Sequence, residues 1–244
     1  MKTNVVLDEL FVIKVIRMHI DQLRLMQIHD SAFPIGGYTH SFGMETYIQK
    51  DTVSDQASLF SLCKAYALEN VKYGDGLFVS EVMRAWKEAP WQMQEVAEIG
   101  HAIKVAKETR EASLMMGRQF LKTIRAIEGE ALFQQVSQWL ECYDMPSHHS
   151  FVYALFAAHE NIGRTEAVTT FIYSSVTSLV HNAVRAVPLG QSTGMETIRN
   201  LLPLIQTAGK DIENLTIYDA RNGTVGLELA SMEHEHLNVR LFIS

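Results

Sequence analysis

The residues best suited to chemistry in this 244-residue chain are among its ten histidines. His234-x-His236 sets two imidazoles on one side of a strand or an extended tail, with Glu233 and Glu235 beside them. Imidazole and carboxylate together suit a borderline ion such as nickel or zinc. A solvated polar tail has the same composition. His148 and His149 are adjacent and point apart on a helix, and no HExxH pattern marks a catalytic metal. His40-Ser41 sets a base beside a hydroxyl, but no Gly-x-Ser-x-Gly elbow surrounds them, and chain neighbours do not readily form a triad. Ser41 is expected instead to cap the helix that follows. Gly36-Gly37 lacks the Gly-Lys-Ser/Thr of a phosphate loop and follows no strand. His181 and Arg185, four residues apart, share a helical face. They suit either a partner anchor or the open carbonyls of a helix end. With a carboxylate they would line the site of a helical-bundle enzyme, which is the reading to set against a binding role.

Helices must position these groups. Leu59, Leu62, Cys63 and Tyr66 follow the spacing of one helical face, as do Val96, Ile99, Ile103 and Ala106, and Met116, Phe120, Ile124 and Ile127. The strongest stripe is Val168, Phe171, Ile172, Ser175, Val176, Leu179 and Val180. The uncharged stretch 167–180 reads as a buried core helix, too short and too rich in Ser and Thr to span a membrane. A later helix carries Ile198, Leu201, Leu202 and Ile205, and Pro203 is expected to kink or shorten it. Thr193-x-x-Glu196 reads as its capping box. Thr165 and Glu166 mark the start of the helix before it. Gly117 lies within a helix at a cost of about 1 kcal/mol against Ala, which predicts close approach of another helix. Breaks fall near Gly74, Pro90, Gly129, Pro146, Gly163, Pro188 and Gly223, and only 215–218 hints at a strand. Short loops between helices predict a compact all-α, single-domain bundle over 1–244.

A hydrophobic fraction of 47% with 20% charged residues describes a globular chain. A net charge of −7 argues against nonspecific nucleic-acid binding. Cys63 and Cys142 form no CxxC pair, which points to a reducing compartment and away from a zinc ribbon. The first residues have no secretory pattern, since Asp8, Glu9 and Lys14 interrupt the apolar run. The expectation is a cytoplasmic protein with 1–20 as an amphipathic arm. Residues 228–244 form a tail whose Leu241, Phe242 and Ile243 must dock somewhere, on this domain or on a partner.

The Pro/Gly-punctuated block from Asp30 to Thr46 is the most specific stretch, because Pro34, Gly36 and Gly37 demand a tight turn. With Gly37 expected at positive φ, Gly37→Val should be harmful. Together with 109–119, 182–194 and 231–244, this block resembles the urease accessory protein UreF family. The resemblance implies an all-α fold and homodimerisation, and the residues themselves offer no convergent acid, base or nucleophile set, which argues against catalysis. The resemblance also implies assembly with UreD/UreH and the GTPase UreG on apo-urease, with nickel handled by the complex and no cofactor resident here. The partner-binding residues so implied are Pro34, Gly36, Gly37, Tyr38, His40, Ser41, Arg185, Gln191, Arg240, Leu241 and Phe242. Any metal contact would fall on His234 and His236. Two features depart from the family pattern: extra length before Met18, and Ile243 where a basic residue is expected.

Overall fold

The computed structural model describes residues 20–244. The expected arm therefore lies almost wholly outside the described residues. The chain divides at Phe33/Pro34 into two units. In the first, residues 20–28 are helical (α1) and end in a turn where the Asp30 carboxylate accepts the Ala32 N–H at 2.7 Å.

The second unit is helical throughout its regular structure. Its helices are α2 (Met44–Gln49), α3 (Gln56–Ala65), α4 (Asp75–Glu88), α5 (Met93–Ala102), α6 (Lys107–Glu128), α7 (Glu130–Cys142), α8 (His149–His159), α9 (Arg164–Ala186), α10 (Gln191–Asp211) and α11 (Val225–His234). Packing runs in the order α3, α10, α9, α4, α8, α6, α7, while α11 lies against α2 and α6. The 167–180 stripe of α9 faces both α10 and α4, which is why it is the longest apolar face in the sequence. The helix buried on all sides is α8, whose residues Ser150 through Ala158 are all buried. It has no polar face because α4 covers it on one side and α6 on the other.

Several local expectations are corrected. A capping box forms instead at Asp55 and Ser58 at the start of α3, where Ser58 N–H donates to Asp55 Oδ1 at 2.8 Å and Asp55 N–H to Ser58 Oγ at 3.1 Å. Thr193 lies inside α10, which starts after an extended Gly190 with no side-chain cap. α10 also runs through Pro203 to Asp211 without ending. Residues 217–219 form a 3-10 turn rather than a strand. The Val96 stripe stops at Ala102, because Ala106 is already the extended N-cap of α6. The Leu59 stripe continues past Ala65 into a π-helical stretch, Tyr66–Val71, which buries Tyr66 and Val71.

The Asp30–Thr46 block makes its turn two ways. Gly36 takes φ 81°, and Phe42 and Gly43 take φ 51° and 85° in succession. Gly37 is not at positive φ, and a Cβ there would make ordinary contacts, the nearest with Met116 Cε at 3.6 Å. The glycine requirement thus falls on Gly43, where a Cβ would come within 2.5 Å of the Leu227 carbonyl oxygen of α11. Gly43→Ala is expected to destabilise by about 2–4 kcal/mol and Gly37→Ala by less than about 1 kcal/mol. Urea unfolding of the two variants measures the difference, and equal midpoints would contradict it.

Candidate functional site

The turn at 36–43 and the segment 239–244 form one structure. Ile243 N–H donates to the Thr39 carbonyl at 2.8 Å, and Ser41 N–H to the Ser244 carbonyl. His40 Nδ1 lies 2.7 Å from Ser244 Oγ. Asn182 of α9 donates to the His40 carbonyl at 2.8 Å, and Arg185, one turn on, donates to the Tyr38 carbonyl at 3.0 Å. The Arg185 guanidinium also sits 5.6 Å from the Phe242 ring centre, a cation–π contact. The tail therefore docks on its own domain.

Glu45 is the centre of this docking. It is buried in the first turn of α2, where a carboxylate suits the helix dipole. Its Oε1 accepts the Leu241 N–H at 2.7 Å and its Oε2 the Phe242 N–H at 3.1 Å. The same Oε2 lies 2.8 Å from His234 Nε2. The other ring nitrogen of His234 lies 2.7 Å from Glu108 Oε2, and Glu108 Oε1 accepts from Arg240 at 3.0 Å. Burial alone would raise the Glu45 carboxyl. The Leu241 N–H, His234 and the Phe242 N–H together outweigh it and hold the group below the usual carboxylate range. Gln49 adds a bond to the Val239 carbonyl at 2.9 Å, and Thr46 one to the Ala230 carbonyl at 2.8 Å.

The sequence-derived site residues separate into two sets. Gly37, His40, Ser41 and Phe242 are buried; Pro34, Tyr38, Arg185, Gln191, Arg240 and Leu241 are exposed. Gly36 is intermediate. The buried set seats the segment, and burial lowers His40 to about 4, so its ring is neutral near pH 7. Ser41 does not cap α2. Gly43 holds that position, and the Ser41 hydroxyl is buried without a partner. His234 and His236 are not brought together: His234 closes α11 inside the protein, whereas His236 is exposed. Both ring nitrogens of His234 already face carboxylates, and no group of three or more metal-ligating side chains is arranged to hold an ion among the described residues.

Behind the turn lies a cavity of about 80 Å³, lined by residues including Gly37, Phe42, Asp75, Lys104, Ser113 and Ser178. Lys104 Nζ meets Asp75 Oδ2 at 2.7 Å, and Ser150 donates to Asp75 Oδ1 at 2.6 Å. Burial works to raise Asp75, and Lys104 with Ser150 overcomes it, holding the carboxyl low. His148 bonds Ser113 Oγ at 3.1 Å and His101 at 2.9 Å. Burial, helped by Lys104, lowers His148 to about 3, and burial lowers His149 to about 4. Neither His181 nor Arg185 lines this cavity, so the enzyme constellation of His181, Arg185 and a carboxylate is not assembled there.

Sequence reasoning missed Glu45, Glu108, Asn182 and Phe42 as site residues. Phe42 alone carried a local signal, since it precedes a glycine inside the block and adopts a left-handed conformation that a bulky residue rarely takes.

Fold and surface together define an all-helical protein whose specialised feature is a segment seated on a Gly-bearing turn. No helix among the described residues is long and apolar enough to cross a membrane. The UreF family model matches residues 53–202. A urease accessory protein UreF of Sporosarcina pasteurii is 41% identical over 202 residues, covering 82% of this chain and 100% of that protein. One from Streptococcus salivarius is 33% identical over 92% of this chain and 95% of its own length. One from Bacillus sp. strain TB-90 is 32% identical over 91% and 98%. The chain belongs to the UreF family of urease accessory proteins.

Proposed function

We propose that this protein is a non-catalytic, cytoplasmic scaffold for urease maturation. It binds UreD/UreH, and through that complex the GTPase UreG, works as a homodimer, and helps deliver nickel to apo-urease as cargo. The observation that supports this reading most is the exposure pattern of the docked segment. Phe242 and Ser244 are each 5% exposed, while Val239, Leu241 and Ile243 are 74%, 67% and 59% exposed. Tyr38, on the turn beneath, adds another exposed ring at 59%. Alternate residues are thus fixed inward and apolar side chains are held outward. Exposed apolar groups on a backbone already ordered by hydrogen bonds suit a protein interface, because little further ordering entropy opposes binding.

Co-purification with UreD/UreH and UreG, with masses read by light scattering, tests the reading. A defined complex with two copies of this chain is the expected result. A monomer that binds neither partner would overturn it.

A further inference from the structure

We infer that His234 is a positioning residue that fixes segment 239–244 through its charge rather than its shape. Its sequence context pointed to metal instead. The partner-binding half of this role rests on the function proposed above.

Glu45, His234, Glu108 and Arg240 form a continuous chain of contacts drawn from α2, α11, α6 and the segment itself. His234 is wholly buried, and each of its ring nitrogens lies within 2.8 Å of a carboxylate oxygen. A carboxylate only accepts hydrogen bonds, so serving two of them requires a proton on both nitrogens, which is the imidazolium form. The four groups then sum to zero: two carboxylates against one imidazolium and one guanidinium. Remove the imidazolium charge and a net negative charge is left in a buried place. Glu45 feels it first, and Glu45 is the acceptor for both the Leu241 and Phe242 amides. His234 touches neither amide, yet it determines whether their acceptor is held in place.

Substitution by glutamine separates charge from shape. Glutamine at 234 is similar in reach, but it has one amino group and one carbonyl, so its oxygen must face one of the two carboxylates. His234→Gln is therefore expected to speed hydrogen exchange of the Leu241 and Phe242 amides at least 10-fold and to weaken UreD/UreH binding to match. Adding Glu108→Gln restores every bond. The glutamine at 234 then donates to Glu45 and accepts, through its oxygen, from the new amide at 108. The oxygen of that amide in turn accepts from Arg240. Only Glu45 and Arg240 then carry charge, and the sum is again zero. The double variant should return both amides to within about 3-fold of the original exchange rate, a difference under about 1 kcal/mol.

Unchanged exchange in His234→Gln, or a double variant as loose as the single, would overturn the charge role. Should His234→Gln fail to fold, a folded double variant with slow amides supports it, and two unfolded variants overturn it. If the amides loosen as expected while UreD/UreH affinity stays the same, the charge role of His234 stands and the proposed docking surface fails.

Discussion

Deleting Leu241 through Ser244 is expected to weaken UreD/UreH binding about 100-fold, near 2.7 kcal/mol, while leaving the helical bundle folded. The deletion removes Leu241 and Ile243 from the exposed face and also Phe242, which is seated between the turn and Arg185. What remains is Glu45 without its two amide donors and His40 without its Ser244 contact. Those groups then become accessible to water, which can satisfy them, so the cost to folding is small. Of the core helices α4, α8 and α9, it is α9 that hydrogen-bonds this edge, through Asn182 and Arg185 near its end. Two point variants divide the effect. Leu241→Ala loses only outward apolar area, whereas Phe242→Ala loosens the seat and with it every outward residue, so its loss of affinity should be the larger. Calorimetric titration of the purified variants with UreD/UreH checks the order. Undiminished affinity of the truncated chain would show that partners bind elsewhere.

Gly117→Ala is expected to lower stability by at least about 2 kcal/mol, against the sign that helix propensity gives. Propensity favours Ala in mid-helix by about 1 kcal/mol. Packing decides otherwise, because a Cβ at 117 would collide with the Ser147 carbonyl oxygen and approach the His148 carbonyl carbon at 2.9 Å. The obstacle is main chain entering α8, which cannot rotate aside as a side chain does. Relieving the clash would move His148 off Ser113, one turn away on α6, and separate α6 from α8. A cost of about 3 kcal/mol or more follows for overpacking against backbone. A urea midpoint at or above that of the unaltered protein would contradict this account.

Gly117 also shows how far the sequence could be read. A helical glycine that costs stability had to be explained by close approach, and that reading survives. The identity of the approaching element, a loop rather than a helix, depends on how the chain folds at Ser147 and His148, well beyond the end of α6. Helix stripes were legible because burial imposes a period: those on α3, α6 and α9 fall on helices, although Ile127 at the end of the α6 stripe is exposed and Tyr66 lies just past α3. Helix ends were less legible. Gly43, Gly163 and Gly190 start helices without side-chain caps, and these leave no Ser/Thr/Asp/Asn signature. The docking edge was visible as two separate pieces, the Pro34–Ser41 turn and the Arg240–Phe242 tail. What joins them was not visible. Glu45, Glu108 and His234 are far apart in sequence, and no local pattern says that one imidazole will bridge two helices' carboxylates. The metal-like look of His234-x-His236 came from composition. In the structure, the helix ends at His234 and sends the two rings to different surroundings.

Thr39 and Ser41 hold the segment by main-chain bonds on one side, while Gly37 and Phe42, in the same turn, line the cavity on the other. Docked segment and cavity are thus separated here by the thickness of a single stretch of backbone. Alterations at 37–43 register in both places at once, so this short stretch is a poor location for a tag or crosslinker meant to report on either one alone. Val239 and Ile243, exposed on the outer layer only, are the positions from which the surface can be read separately.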